Sequence, residues 1–234
     1  IYFFISLIQF YNRYPDIESD GYKYLCEISQ LKAPCIIYSL GSANNYLFEE
    51  DMLAHTPCEV SFDSFFLSLF SSFFFSFFFF SFLFSFFSFK EKSFLKDIIS
   101  TDSYIHCTIT PIETKNPKII FHKVCLGSKD EYKFQRTYQT LTTITNNLGH
   151  KRIDLLKMDI EGFETSVFRN WLPTDPHLPY QIVVEIHLFG MKTHESIMLL
   201  NQLYLLGYRI IKRDDNPLDG CCSEITLIRV KCPS

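Results

Sequence analysis

The chain has 234 residues, which is enough for one α/β domain with a full core and short for two. Its formal net charge is -4 and it has no basic block, which argues against nucleic acid as the main partner. The eight cysteines lack the paired CxxC spacing of a zinc site, so no metal site is assigned. Cys35 and Cys125 lie in apolar runs, where a free cysteine usually packs as a small hydrophobe. A disulfide framework stays open if the chain is lumenal.

The chain begins with Ile1 rather than Met, so we expect it to be a fragment or an incomplete gene model. Residues 1–10 are apolar and aromatic, but they are about half as long as a helix that crosses a bilayer. They are either the end of a membrane anchor or one face of a packed segment. Residues 1–34 are interpreted as a lead-in to a domain over residues 35–232.

A strand, a glycine turn and a helix are predicted over residues 35–55. Residues 35–40 (CIIYSL) are apolar and rich in β-forming residues, and residues 46–55 (YLFEEDMLAH) have a helical character. Gly41 lies in the turn between them. In doubly wound folds, such a unit brings backbone and free helix amides close to a phosphate or nucleotide. A plain strand-to-helix turn would also account for one glycine.

A second short strand is predicted over residues 59–62, followed by Asp63. An acidic residue one βαβ unit after the glycine turn is where such folds accept hydrogen bonds from the two hydroxyls of a ribose. Asp63 is therefore the best single candidate for binding a cofactor. The alternative is an ordinary loop aspartate.

Residues 64–89 contain only Phe, Ser and Leu, with fifteen, eight and three of them in 26 positions. Three interpretations stay open. Because all three residue types have pyrimidine-only codons, the stretch could be a translated polypyrimidine sequence from a retained intron. It could also be a membrane segment, since its length and low charge suit a bilayer, or an unusual buried or aggregating insert.

The composition is ordinary again after Lys90. A short helix is predicted over residues 94–99, and a third strand over residues 118–126 (KIIFHKVCL). Residues 130–147 are polar and rich in Thr, which favours a loop over the site, with a helix over residues 141–148.

The central motif is residues 151–164, KRIDLLKMDIEGFE. Residues 153–158 form an apolar run that is typical of a buried parallel strand, and Asp159, Glu161 and Gly162 follow it. Ligands of open α/β sheets bind outside the carboxyl ends of the strands, so these carboxylates are site candidates. Alternatively, they only cap the next helix and complement its dipole.

KMDIEGFE resembles the hallmark of the FkbM-type methyltransferases, and CIIYSLGSANNYLFEEDML is similar to a segment of the same group. The resemblance covers residues 35–63 and 117–232. It implies a class I methyltransferase fold and an S-adenosylmethionine site around Gly41, Ser42 and Asn45. The chain departs from a GxGxG turn, since Gly41 is the one glycine of that turn.

The next helix should present a core stripe of Val167, Phe168, Trp171 and Leu172, and Pro173 ends it. A fifth strand follows over residues 181–186, with Glu185 and His187 on one face. In a doubly wound sheet these two side chains would converge with Asp159 and Glu161. Such a cluster suits general acid or base work or a divalent metal, unless it is a polar rim satisfied by loop amides.

The carboxyl-terminal part is predicted to be a helix and an antiparallel pair. The apolar positions Ile197, Leu200, Leu203 and Tyr204 indicate an amphipathic helix that Gly207 ends. Residues 208–212 and 225–230 flank a turn-rich stretch and should form a hairpin. The predicted fold is therefore α/β, a Rossmann-like class I methyltransferase with a mostly parallel, doubly wound sheet ending in an antiparallel hairpin.

These expectations favour an S-adenosylmethionine-dependent methyltransferase that methylates the oxygen of an unknown, small-molecule or glycan-like acceptor. Asp159 would orient substrate or cofactor, and Glu161 and His187 are the candidate bases. The localisation is left open, and membrane association through the N-terminus or residues 64–89 is one alternative. The rival is a non-catalytic binding or membrane-associated module that has lost the cofactor. A metal-dependent hydrolase that uses the acidic rim is a third reading.

Overall fold

The computed structural model of the chain describes residues 11–14, 23–41, 46–63, 119–122, 124–133, 136–187, 193–215 and 222–230. The predictions for residues 1–10, 64–89 and 94–99, and for Ser42 and Asn45, lie outside these ranges. In chain order, the described elements are β1 (Tyr11–Tyr14), β2 (Lys23–Cys26), a 3-10 turn (Ile28–Gln30), β3 (Ile36–Leu40), α1 (Leu47–His55), β4 (Glu59–Asp63), β5 (Ile119–Phe121), β6 (Cys125–Leu126), β7 (Glu131–Lys133), β8 (Arg136–Gln139), α2 (Leu141–Leu148), β9 (Leu155–Met158), α3 (Glu164–Phe168), β10 (Gln181–His187), α4 (Thr193–Leu205), β11 (Tyr208–Asp215) and β12 (Cys222–Arg229).

The main sheet of the described chain has the strand order β11-β12-β10-β9-β3-β4-β5. The strands β5, β4, β3, β9 and β10 run parallel to their neighbours in this group. The strand β12 runs antiparallel to both β10 and β11. The predicted fold class is confirmed: the chain has a Rossmann-like class I methyltransferase fold with a mostly parallel sheet that ends in an antiparallel hairpin.

The sheet buries apolar side chains on both of its faces. Because successive side chains of a strand point to opposite faces, Leu155 packs with α1 and β2 on one face, whereas Leu156 packs with α2, α3 and α4 on the other. This double cover explains why the parallel strands appear in the sequence as continuous apolar runs rather than as alternating ones.

The predicted third strand, residues 118–126, is wrong in its extent. The structure divides it into β5, which pairs with β4 in the main sheet, and β6, which pairs with β8 in a separate sheet of β6, β8 and β7. Apolar residues continue through both strands, so the sequence pattern does not show where the chain leaves the main sheet. The strands β7 and β8 also occupy part of the segment that was predicted to be a loop.

The helix predicted over residues 141–148 is confirmed as α2, and its ends have a local cause. The Thr140 side chain accepts a hydrogen bond from the Thr143 amide at the amino end, which supplies a partner for an otherwise unpaired N–H. At the other end Gly149 has a φ of 72°, the left-handed conformation that commonly ends helices. The predicted helix over residues 46–55 is likewise confirmed as α1.

The predicted apolar stripe of α4 is largely wrong. Leu199 and Leu203 are the buried residues of this helix, whereas Ile197, Leu200 and Tyr204 are exposed. The helix has apolar residues on several sides and packs through only one of them, so residue spacing alone cannot identify the buried face.

The predicted stripe after the central motif is correct except at its last position. Val167, Phe168 and Trp171 are buried, but Leu172 is 58% exposed. The helix α3 ends at Phe168, so Leu172 lies beyond its last turn and does not follow its periodicity.

Of the two alternatives left open for Cys35, a free buried cysteine or a disulfide, the structure has the disulfide. Cys35 forms a disulfide with Cys58, and their Cα atoms are 4.6 Å apart. The two residues directly precede the parallel strands β3 and β4, which places their side chains within reach of each other. Cys125 and Cys222 are also disulfide-bonded, whereas Cys26 is free.

The described part of the predicted lead-in packs on the domain. The strands β1 and β2 form an antiparallel pair, and Leu25 and Ile28 belong to the same core cluster as Ile37 of β3. The boundary between residues 34 and 35 stays a prediction. None of the helices in the described ranges combines the length and the apolar character that crossing a membrane requires.

Candidate active site

The candidate site is the rim where β3, β4, β9 and β10 have their carboxyl ends. Leu40, the last residue of β3, is in register with Asp63 of β4 and with Met158 of β9. Met158 is in turn in register with Val184 of β10. The residues that follow these strands are therefore neighbours, as expected for the ligand-binding edge of an open α/β sheet.

Gly41 allows the ends of β3 and β9 to approach each other. It has a φ of 83°, and a Cβ atom at this position would lie 1.6 Å from the backbone oxygen of Asp159. The buried Lys157 side chain donates a hydrogen bond to the Gly41 carbonyl oxygen over 2.9 Å. A glycine is therefore required here by packing against β9, a reason that the sequence pattern did not reveal.

Asp159, Glu161 and His187 converge at this rim, as the sequence analysis expected. His187 Nε2 lies 3.3 Å from Glu161 Oε2 and 3.9 Å from Asp159 Oδ1. Asp159 Oδ1 is buried, and within the described part of the chain it has no hydrogen-bond partner. Asp159 Oδ1 therefore pairs with His187 over a long distance but makes no hydrogen bond in the described part of the chain, which leaves it able to accept one from a ligand.

Glu164 is the central residue that the sequence analysis missed as a member of the site. Its side chain is 1% exposed, and its carboxylate accepts hydrogen bonds from the amides of Ile160 and Gly162. Its Oε1 atom also lies 3.1 Å from His187 Nδ1. The available signal was an acidic residue two positions after a glycine, in the first turn of a short helix, where a side chain can fold back onto free amides.

His187 is held as a cation between carboxylates. Burial on its own would lower the pKa of His187. Hydrogen bonds to Glu161 and Glu164 outweigh this effect, together with nearby carboxylate charge, and raise the pKa to about 10. At neutral pH both ring nitrogens therefore carry protons.

Glu185 is a further acidic residue of the rim. Burial and then the charge of Asp159 raise the pKa of Glu185 to about 7. A side-chain hydrogen bond with Asp159 acts in the same direction, whereas the charges of Lys23 and His187 oppose it. Glu185 is therefore partly protonated near neutral pH.

The turn that carries Glu161 is strained. Glu161 has a φ of 54°, a left-handed conformation that is uncommon for a residue other than glycine. Such strain persists where the surroundings fix the backbone, and it is frequent at functional sites. Here the Glu164 carboxylate supplies the partners for the amides on both sides of Glu161.

Two groups at the rim bring together side chains of the types that bind metal ions. They are Asp159, Glu161 and His187, and Glu185, His187 and Cys222, with ligand atoms within 4.8 Å of one another in each group. The Cys222 sulfur is in a disulfide, so it is not available as a ligand. Ion pairing accounts for the first group without a metal.

The structure does not describe every predicted cofactor residue. Asp63 ends β4 beside Leu40, which is the predicted place, but only its backbone is described. Ser42 and Asn45 lie outside the described ranges. A cavity of about 470 Å³ lies at the opposite edge of the sheet, against Leu155 and Gln181, and none of the predicted site residues lines it.

Comparison with known proteins identifies the domain. The family model of the methyltransferase FkbM domain matches residues 96–210. No curated protein matches the chain. Similar solved structures include the Methanococcus jannaschii fibrillarin pre-rRNA processing protein, at 10% identity, 95% coverage of this chain, 84% coverage of that chain and a TM-score of 0.44. Another is Aeropyrum pernix fibrillarin in complex with natively bound S-adenosyl-L-methionine. It has 11% identity, 84% coverage of this chain, 67% coverage of that chain and a TM-score of 0.38.

Both TM-scores are below 0.5, so the fibrillarin structures support no statement about the function of this chain. The family match is more informative because it contains the β9 and β10 side of the rim. Residues 96–210 include β9, the turn with Glu161, the buried Glu164 and β10 with Glu185 and His187. The carboxylates that converge around His187 thus lie within residues 96–210, the part of the chain that matches the methyltransferase FkbM domain.

Proposed function

We propose that the chain is an S-adenosylmethionine-dependent methyltransferase that transfers a methyl group to an oxygen of its acceptor. The observation that carries this proposal is the convergence of Asp159, Glu161 and Glu185 around His187 at the carboxyl edge of the sheet. A hydroxyl acceptor has to be oriented and has to lose its proton, and carboxylates at such an edge can do both. The FkbM domain match supports the same reaction class.

The described residues fit an adenosyl cofactor at the ends of β3 and β4. Gly41 presents backbone without a side chain, and Asp63 ends the neighbouring strand, where an acidic residue can accept ribose hydrogen bonds. When bound, S-adenosylmethionine supplies the methyl group, and the residues that would hold it are Gly41, Ser42, Asn45 and Asp63. The acceptor would lie towards Asp159, on the side of β9 and β10.

The contacts at the rim support separate roles for its acidic residues. Asp159 is proposed to orient the acceptor, since its buried Oδ1 has no hydrogen-bond partner among the described residues. A protonated His187 has no free lone pair at neutral pH, so of the two candidate bases Glu161 is favoured. Glu185 is a further proton acceptor because its pKa lies near neutrality.

Calorimetric titration of the full chain with S-adenosylhomocysteine tests the proposal. We expect saturable binding by the wild type. The variant Asp63→Ala, which changes the cofactor side of the rim and leaves Glu161 intact, should bind S-adenosylhomocysteine more weakly. A chain that folds but binds no S-adenosylhomocysteine would overturn the proposal and support the non-catalytic module. Binding of a divalent cation without any binding of the cofactor would instead support the metal-dependent hydrolase.

A further inference from the structure

We propose that Glu164 is the positioning residue of this site: it fixes the turn that carries Glu161 and it clamps the ring of His187. The inference rests on the proposed function for its catalytic meaning. The contacts that carry it belong to one carboxylate, which is buried and reaches both the turn and the imidazole. Glu164 itself is not proposed to touch the substrate or the cofactor.

The Glu164 carboxylate binds the backbone of the turn that carries Glu161. Glu164 Oε1 accepts a hydrogen bond from the Ile160 amide over 3.0 Å, and Oε2 accepts one from the Gly162 amide over 3.0 Å. These two amides flank Glu161, whose left-handed φ would be unfavourable without compensation. The carboxylate therefore stabilises the backbone conformation that directs the Glu161 side chain towards His187.

The same carboxylate also contacts the imidazole of His187. Glu164 Oε1 lies 3.1 Å from His187 Nδ1, and Glu161 Oε2 lies 3.3 Å from Nε2 on the other side of the ring. A ring with carboxylates on both nitrogens has one favoured orientation. The orientation of His187 and the position of Glu161 thus depend on the same buried residue.

The charged groups around His187 come from α3, from the turn after β9 and from β10 itself. Glu164 faces it from α3, and Asp159 and Glu161 face it from the turn after β9. Glu185 lies on the same strand as His187, and the charge of His187 acts to lower the pKa of Glu185. On β12, the residue in register with His187 is Cys222, which is disulfide-bonded and carries no charge.

Among these groups, Glu164 combines the deepest burial with contact to the ring. Its side chain is 1% exposed, compared with 24% for Asp159 and 29% for Glu161. A buried ion pair is screened little by solvent, so its loss should be felt more strongly at His187 than the loss of a partly exposed carboxylate.

The test follows the protonation of His187 in the full chain by nitrogen-15 NMR of the imidazole, with His187→Asn to assign its signals. In the wild type we expect both ring nitrogens to stay protonated from pH 6 to 8. Glu164→Gln keeps the size of the side chain and removes its charge. We expect it to lower the midpoint of the His187 titration by at least one pH unit.

Asp154→Asn is the matched control, because Asp154 is also a buried carboxylate that accepts a backbone amide, but at the opposite end of β9. It should leave the His187 titration unchanged. An unchanged titration in Glu164→Gln would overturn the proposal, as would an equal shift in Asp154→Asn. If Glu164→Gln does not fold, Glu164→Asp is measured instead, and there too an unchanged His187 titration overturns the proposal.

S-adenosylhomocysteine binding separates this inference from the proposed function. Glu164 makes its contacts on the β10 side of the rim, so we expect Glu164→Gln to change cofactor affinity by less than about threefold. A wild-type chain that shows the expected His187 behaviour but binds no S-adenosylhomocysteine would contradict the methyltransferase proposal and leave the positioning role intact. A tenfold or greater loss of cofactor affinity in Glu164→Gln, without a change at His187, would overturn the positioning role.

Discussion

The two ends of strand β9 each carry a buried or partly buried aspartate, and the two are used differently. At the amino end, Asp154 accepts the Ile36 amide and pairs with Arg152. At the carboxyl end, Asp159 faces other carboxylates, and its buried Oδ1 has no hydrogen-bond partner among the described residues. The amino end is a satisfied structural edge, whereas the carboxyl end retains polar groups that a ligand can use.

The most disruptive test of this comparison is Gly41→Ala. The added Cβ would overlap the Asp159 backbone oxygen, at a built distance of 1.6 Å, and the backbone is already in the left-handed region. We expect the free energy of unfolding to fall by about 4 kcal/mol and cofactor binding to be lost, because β3 and β9 must move apart. Chemical denaturation measures the first effect and calorimetry the second.

Gly149→Ala is the control for Gly41→Ala. Gly149 also has a positive φ, of 72°, but a Cβ there would meet no atom within 4 Å. Its cost should be only that of the left-handed backbone, about 1 kcal/mol. Equal destabilisation by the two substitutions would show that the close approach at the rim contributes nothing.

The disulfide at the amino edge should affect stability and spare the rim. Cys35 and Cys58 are 23 residues apart in the chain, so the double variant Cys35→Ser, Cys58→Ser should lower the free energy of unfolding by about 3 kcal/mol. At temperatures where it stays folded, its affinity for S-adenosylhomocysteine should match the wild type. A folded variant with a lost cofactor site would show that the two edges are coupled.

The central sheet was predictable because a parallel strand covered on both faces leaves an unmistakable apolar run. All five parallel strands were located in this way, although the third was drawn too long. The acidic rim was predictable because strand ends gather at one edge. What the sequence could not show were fold-back contacts, such as Glu164 with the amides of its own turn, and contacts between distant segments, such as the Cys35–Cys58 disulfide.

Exchanging the two aspartates of β9 for asparagine should separate stability from activity. Asp154→Asn removes a charged acceptor from the Ile36 amide and from Arg152, so it should destabilise the fold by about 2 kcal/mol. Asp159→Asn should retain the fold, since the amide is isosteric and relieves repulsion between carboxylates, but it should lower turnover once an acceptor is known. Denaturation curves and methyl-transfer rates measure the two outcomes, and unchanged turnover in Asp159→Asn would reduce Asp159 to a structural cap.

Asp63→Ala tests the cofactor side of the rim. Removal of a charged acceptor for the ribose hydroxyls should weaken S-adenosylhomocysteine binding by about 1 to 3 kcal/mol. The stability of the fold should change little, because Asp63 is the last residue of β4. Unchanged affinity in calorimetry would show that Asp63, at the end of β4, does not bind the ribose.

The last test concerns the pH dependence of stability. The pKa of Glu185 is about 7 in the folded chain and 4.5 for an ordinary glutamate, so the folded state binds the extra proton and stability should fall as the pH rises from 4.5 to 7. The pKa of His187 is likewise raised, from 6.5 to about 10, so its contribution is complete below pH 6.5 and is lost as the pH rises towards 10. Glu185→Gln should remove the fall in stability between pH 4.5 and 7 and retain the fall between pH 6.5 and 10. Denaturation midpoints at a series of pH values measure both, and an unaltered slope between pH 4.5 and 7 would show that the proton bound by Glu185 does not contribute to stability in that range.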